Sequence, residues 1–234
     1  MIGIAWFNFR TYSRTYKLFP PAACYILLLL LNYSTAPNPV LSSFGSTMML
    51  NFLMISWFTL SFMQSQNKTQ QAISLIHLKS RKIFFISSYL CMVFLSLLLS
   101  LISVFYPLII GAFDESVSVG VLLFSVFNHF VISIIAVCIT MLVTKNIVNK
   151  QINSWLGLGL ILSVLLSTAA IDEHSSLYVI QYILPPISSL INIMNNGFYA
   201  SEHMYMFFIY AWGIGYSIVL ILVFIFTIKR KDMI

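Results

Sequence analysis

Charge is what this sequence has least of. Asp, Glu, Lys and Arg make up 8% of its 234 residues and hydrophobic residues 60%, whereas a soluble domain carries about 25% charge. The mean hydropathy is +0.95. A chain this apolar has too little polar surface to face water, which excludes a soluble globular domain. Cysteine is also scarce: Cys24, Cys91 and Cys138 each fall inside an apolar run. Their odd number and apolar surroundings exclude a disulfide framework, and no Cys/His spacing fits zinc. There is no G-x-x-x-x-G-K-S/T, so this chain cannot bind ATP through a P-loop. Neither G-x-S-x-G nor H-E-x-x-H occurs. No nucleic-acid motif, internal repeat or low-complexity tract is present. The first eighteen residues are too polar for a cleavable signal, and none is expected.

The apolar runs predict an all-α polytopic membrane protein, a single transmembrane domain over 1–234 with six spans. These are placed at about 18–34, 44–63, 83–106, 117–143, 155–171 and 204–228, with Pro107 closing the third. Pro20 and Pro21 suit a helix start. None of the six contains Asp, Glu, Lys or Arg. Ion-coupled carriers keep such groups near the midplane, so this membrane core must draw energy from elsewhere. Segment 172–203 contains "LYVIQYILPPISSLINIM", split by Pro185 and Pro186. Each half is too short for a ~30 Å hydrocarbon core. It reads as interfacial or re-entrant half-helices, with a single kinked span as the alternative.

Charge placement decides between those two. With six spans, all 12 basic residues fall on one side and five of the 6 acids (Asp114, Glu115, Asp172, Glu173, Glu202) on the other. The positive-inside rule then puts both termini in the cytoplasm and 172–203 outside a multi-pass cell-membrane protein. A seventh span would send Lys229–Lys231 outward.

Two polar stretches stand out. In residues 1–17, Ile2, Ala5, Phe9, Tyr12 and Tyr16 recur at helical spacing beside a basic stripe of Arg10, Arg14 and Lys17, with Trp6 at the border. That pattern predicts an interfacial helix. In 68–82, Gln70, Gln71, Ser74, His77 and Arg81 share one arc and Ala72, Ile73, Leu75 and Ile76 the other. This is a short amphipathic helix joining spans two and three on the basic side. Within the spans, the hydroxyls, Asn51 and Asn128, and the glycines read as helix-packing residues. His129 reads as satisfied by a neighbouring helix, with a proton-relay or substrate role as the alternative.

The order of these features resembles an ABC-2-type permease, the membrane subunit of one class of ATP-driven transporters. It runs from "AWFNFRTYSRTYK" through six spans and "QQAISLIHLKSRKIFF" to the broken "YVIQYILPPISSLINIM" and the closing "FTIKRKDMI". The resemblance covers nearly the whole chain. It implies that 68–82 is a coupling helix, with Gln70, Gln71, Ser74, His77 and Arg81 contacting a separate cytoplasmic ATPase subunit. ATP and Mg would then belong to that partner, with no cofactor, metal or catalytic residue on this chain. It further implies a second permease chain, identical or paralogous, with the pathway between the two. Asn51, Trp57, Asn128 and His129 are candidates to line that pathway. The stretch departs from relatives in lacking an acidic residue. Size and character are similar to exporters of small amphipathic peptides, such as phenol-soluble-modulin exporters and lantibiotic immunity pumps. The uncharged, aromatic and methionine-rich spans suit such a cargo. The rivals are a non-transporting assembly or immunity scaffold and a membrane-embedded enzyme acting on lipid, the latter disfavoured by the lack of clustered catalytic residues.

Overall fold

The computed structural model describes residues 2–66, 71, 75, 80–148, 150–168, 183–197 and 203–231. Among them every regular element is helical: α1 (Ile2–Ser13), α2 (Phe19–Asn32), α3 (Val40–Ser65), α4 (Arg81–Ile109), α5 (Val119–Leu142), α6 (Lys145–Val148), α7 (Gln151–Ser167), α8 (Ile187–Asn196) and α9 (His203–Lys231), with a 3-10 turn at Tyr16–Leu18.

Among the described residues four helices, α3, α4, α5 and α9, are long and apolar enough to cross a membrane. A fifth span is reached if α1 and α2, bent by 83° at their junction, count as one. The expected first span is shorter than read, and the fifth has the expected length but starts four residues earlier. α2 has 14 residues and α7 has 17, roughly 21 and 26 Å at 1.5 Å per residue. Proline placement explains the start of α2, since Pro20 and Pro21 occupy its first turn, where no N–H is needed.

α4 differs from expectation at its far end. Pro107 does not close it but sits in its last turn, and the helix runs on to Ile109. The stop is a Schellman motif. Gly111, at φ +64°, donates to the Leu108 carbonyl at 3.2 Å, and Ala112 donates to the Pro107 carbonyl at 2.9 Å. α5 starts at Ser118, whose Oγ accepts from the Val121 N–H at 3.4 Å, an ordinary N-cap.

α3 and α5 form the centre of the bundle. Their most apolar windows are 72% and 67% buried, against 44% for α4 and 22% for α9. Polar side chains within these helices are mostly satisfied by their own backbone. Ser56, Ser96, Ser100, Ser125, Ser133 and Thr140 each donate to the carbonyl four residues earlier. A helix can therefore carry a hydroxyl through an apolar interior without leaving a donor unpaired.

The two ends of the bundle differ in charge. At one end α2, α3 and α4 are tied together: Asn38 donates to the Ala112 carbonyl at 2.8 Å and Asp114 to the Asn38 carbonyl at 3.1 Å. Phe113 packs on Phe44 and Tyr33 there. That end holds Asp114 and Glu115, the acids among the described residues. Lys17, Arg81, Lys82, Lys145, Lys150 and the last turn of α9 lie at the other.

α8 does not run along the surface. A Cβ placed at Gly213 of α9 would lie 3.3 Å from Ile135, 3.7 Å from Pro186 and 3.8 Å from Val131. The N-terminal end of α8 is thus level with the middle of α5. Its other end reaches the acidic rim, where Asn195 meets Gly45 and Gly197 meets Leu41. Ile187, Leu190, Ile193 and Met194 are buried. The helix is wedged among α3, α5, α7 and α9. The first half of the expected pair falls mostly outside the described residues.

Candidate functional site

The most elaborate polar assembly lies where α3 ends. The last carbonyls of a helix have no intrahelical donor and form the negative end of its dipole. At α3, two lysines from distant segments supply donors. Lys17, between α1 and α2, donates from Nζ to the Gln64 carbonyl at 2.9 Å. Lys145, just after α5, donates to the Gln64 carbonyl at 3.3 Å and to the Gln66 carbonyl at 2.9 Å. Gln151 at the start of α7 adds Nε2 to the Gln64 Oε1 at 2.8 Å. Ser61 returns a bond to the Lys17 carbonyl at 2.7 Å.

A second layer adjoins it. Ser88 of α4 accepts from Gln66 Nε2 at 3.3 Å and from Asn8 Nδ2 at 3.5 Å, and donates to the Phe84 carbonyl at 3.1 Å. Tyr12 packs edge-on to Phe62, with centroids 5.4 Å apart. The residues joined here come from α1, the turn before α2, α3, α4, α6 and α7. Gln64 and Gln66 are nearly buried, so these bonds are shielded from water. The Gln64 Nε2 and Gln66 Oε1 atoms lack a hydrogen-bond partner among the described residues. The chain leaves this knot directly into residues 67–79.

Of the residues expected to contact an ATPase, Gln70, Ser74 and His77 lie outside the described residues. Gln71 is helical and half-buried, and Arg81 is the exposed first residue of α4. The pathway candidates are dispersed. Asn51, Asn128 and His129 are wholly buried within the single chain. Asn51 Nδ2 donates to Ser100 at 3.3 Å and Ser133 at 3.0 Å, joining α3 to α4 and α5. Asn128 accepts from the Tyr210 hydroxyl at 2.9 Å, joining α5 to α9. His129 Nδ1 lies 2.7 Å from the Ser125 carbonyl, which can only accept, so Nδ1 carries the proton. Its Nε2 is then free to accept from Thr47 Oγ1, 3.1 Å away on α3. Trp57 is half-buried and stacks edge-on with Trp155 of α7, centroids 6.4 Å apart.

The sequence marks Lys145 as a topology charge and Lys17 as a topology charge and a member of the amino-terminal basic stripe, neither as a ligand of a helix end. The "QSQ" that receives them, together with Asn8, Ser88 and Gln151, was not singled out. The available signal was the pair of glutamines closing an otherwise uncharged span. Among the described residues no group of three His, Cys, Asp or Glu side chains could hold a metal ion. No family model matches the chain, and neither does any curated protein or solved structure compared with it.

Proposed function

We propose that this chain is the membrane subunit of an ATP-driven exporter of the ABC-2 type, moving an amphipathic or hydrophobic substrate, peptide or toxin, across or out of the cytoplasmic membrane. In this reading α2 and α7 complete six spans. The basic end of the bundle faces the cytoplasm with both termini, and the outer end of α8 faces outside. A separate ATPase docks on 68–82, and a second permease chain completes the pathway. This chain performs no covalent chemistry.

The observation that carries the proposal is the lysine knot at the end of α3. A segment that receives force from an ATPase must be rooted firmly, or it would bend without moving the spans. Residues 67–79 leave a point where Lys17, Lys145 and Gln151 bind the end of α3 to the starts of α2 and α7 and to the end of α5. A displacement there reaches several helices together. The wholly buried Asn51, Asn128 and His129 favour a second reading, a non-transporting scaffold, because a closed single chain offers no wall to a substrate.

The test is to co-express the chain with its candidate ATPase and change Ser74 or His77 to Glu. A charge placed in a packed interface loses hydration without gaining a partner, at a cost of about 1–3 kcal/mol or more. Since 1.4 kcal/mol is tenfold in an equilibrium, assembly should fall by about one to two orders of magnitude. Co-purification and export should fail together while membrane insertion continues. Retention of both would leave the scaffold as the better reading.

A further inference from the structure

Between α1 and the first half of α4 lies a cleft of about 270 Å³ lined by Ala5, Trp6, Phe9, Leu90, Cys91 and Phe94. It is apolar, and its rim is open: Trp6 is 62% exposed and Phe94 55%. α1 is anchored beside it, by Asn8 to Ser88 and by Tyr12 against Phe62, so the cleft lies between two packed helices.

Its depth follows from α4. That helix has 29 residues, about 43 Å at 1.5 Å per residue, some 13 Å more than a ~30 Å hydrocarbon core. The excess lies naturally at the basic end, where Arg81 and Lys82 begin the helix and Gln66, Ser87 and Ser88 are buried polar residues. Leu90–Phe94 then sit just inside the acyl region and α1 beside the headgroups.

Arg10 stands one helical turn from Trp6 and is exposed. The acids among the described residues, Asp114 and Glu115, are at the opposite end of the bundle, so no carboxylate from them reaches this rim. An apolar slot beneath a cationic rim is complementary to a chain-bearing anion. We propose that the cleft binds an acyl chain of an anionic phospholipid whose phosphate is held by Arg10. The proposal depends on the chain residing in a membrane and not on an ATPase docking to it.

The full chain with Trp57→Phe, Trp155→Phe and Trp212→Phe leaves Trp6 as its sole tryptophan, excited selectively at the red edge where tyrosine does not absorb. It is placed in phosphatidylcholine bilayers containing either brominated-acyl phosphatidylglycerol or brominated-acyl phosphatidylcholine. One basic side chain near an anionic lipid surface is worth about fivefold in affinity. Brominated phosphatidylglycerol should therefore quench Trp6 at an about fivefold lower mole fraction. Arg10→Gln should abolish the preference, and Arg10→Lys should keep it. Ala5→Leu, which fills the cleft, should weaken quenching by phosphatidylglycerol to the level of the zwitterionic lipid. Unchanged helicity in circular dichroism verifies that α1 remains folded. Equal quenching by the two lipids in the parent chain, or a preference that survives Arg10→Gln, would overturn the proposal. Failure to enter bilayers at all would instead count against the membrane reading.

Discussion

Lys145 holds two helix-end carbonyls that little else in the described structure reaches. Hydrogen bonds from a charged donor are worth about 1.5–3 kcal/mol. Lys145→Met should therefore lower the melting temperature of the detergent-solubilised protein by roughly 3–10 °C, given the usual slope for a chain of this size. Lys17 shares the Gln64 carbonyl, so either lysine alone keeps that oxygen paired. The Lys17→Met, Lys145→Met double variant should lose more than the sum of the singles, by about 0.5–1 kcal/mol in a double-mutant cycle. A strictly additive result would mean that the two ammonium groups do not share an acceptor in solution. Asn51 makes the opposite case. Ser100 and Ser133, which accept from it, already donate to their own helix carbonyls. Its Oδ1 has no partner among the described residues. Asn51→Leu removes an orphaned acceptor and keeps the branched shape, so stability should change by less than about 1 kcal/mol. Export lost from a stable Asn51→Leu protein would place Asn51 in the pathway, whereas unchanged export would leave it as packing.

At the scale of the element, two glycines end helices by different means. Gly111 lies at φ +64° with nothing within 4 Å of an added Cβ. An alanine there meets only the left-handed backbone penalty, about 1–2 kcal/mol. Gly197 ends α8 at φ +80° and ψ 168°, a region essentially reserved for glycine. An added Cβ there would also lie 2.8 Å from Leu41. Gly197→Ala should thus destabilise more than Gly111→Ala, and thermal melts of the two variants decide the order. The difference has a structural reason: a side chain at Gly111 would meet open space, whereas α8 must turn sharply against the start of α3 to stay wedged in the bundle. Gly45 makes the same point from the other side, since its missing Cβ leaves room for Asn195.

For the whole molecule, the segregation of charge is the feature with a consequence. Ser118 lies at the acidic end and Lys150 at the basic end, with α5 between them. In a background lacking Cys24, Cys91 and Cys138, a cysteine at Ser118 should react with an impermeant thiol reagent added to intact cells. A cysteine at Lys150 should react only after permeabilisation. Reaction of both from outside would remove the six-span arrangement and the cytoplasmic docking of 68–82 with it.

Membrane character was legible residue by residue, because hydropathy and net charge are sums over local composition. The starts and ends of α3, α5 and α9 follow from the same sums to within a few residues. The ends of the short spans were less legible. α2 ends by Asn32 and α7 by Ser167, because apolar composition says where a helix can lie and not where its neighbours let it stop. Tyr16 shows the same limit. It continued the apolar spacing of α1, yet it is 96% exposed, since the helix ends at Ser13 and a 3-10 turn redirects the chain. The lysine knot was not legible at all. Lys17 and Lys145 reach Gln64 across 47 and 81 residues of sequence, and no periodicity encodes such a distance. The sequence by itself determined the solvent of this protein and the end of the bundle that is basic, since burial and charge act on each residue alone. Only the tertiary structure decided which carbonyls those charges satisfy and how deep α8 enters, because a hydrogen bond or a wedge needs two partners brought together by packing.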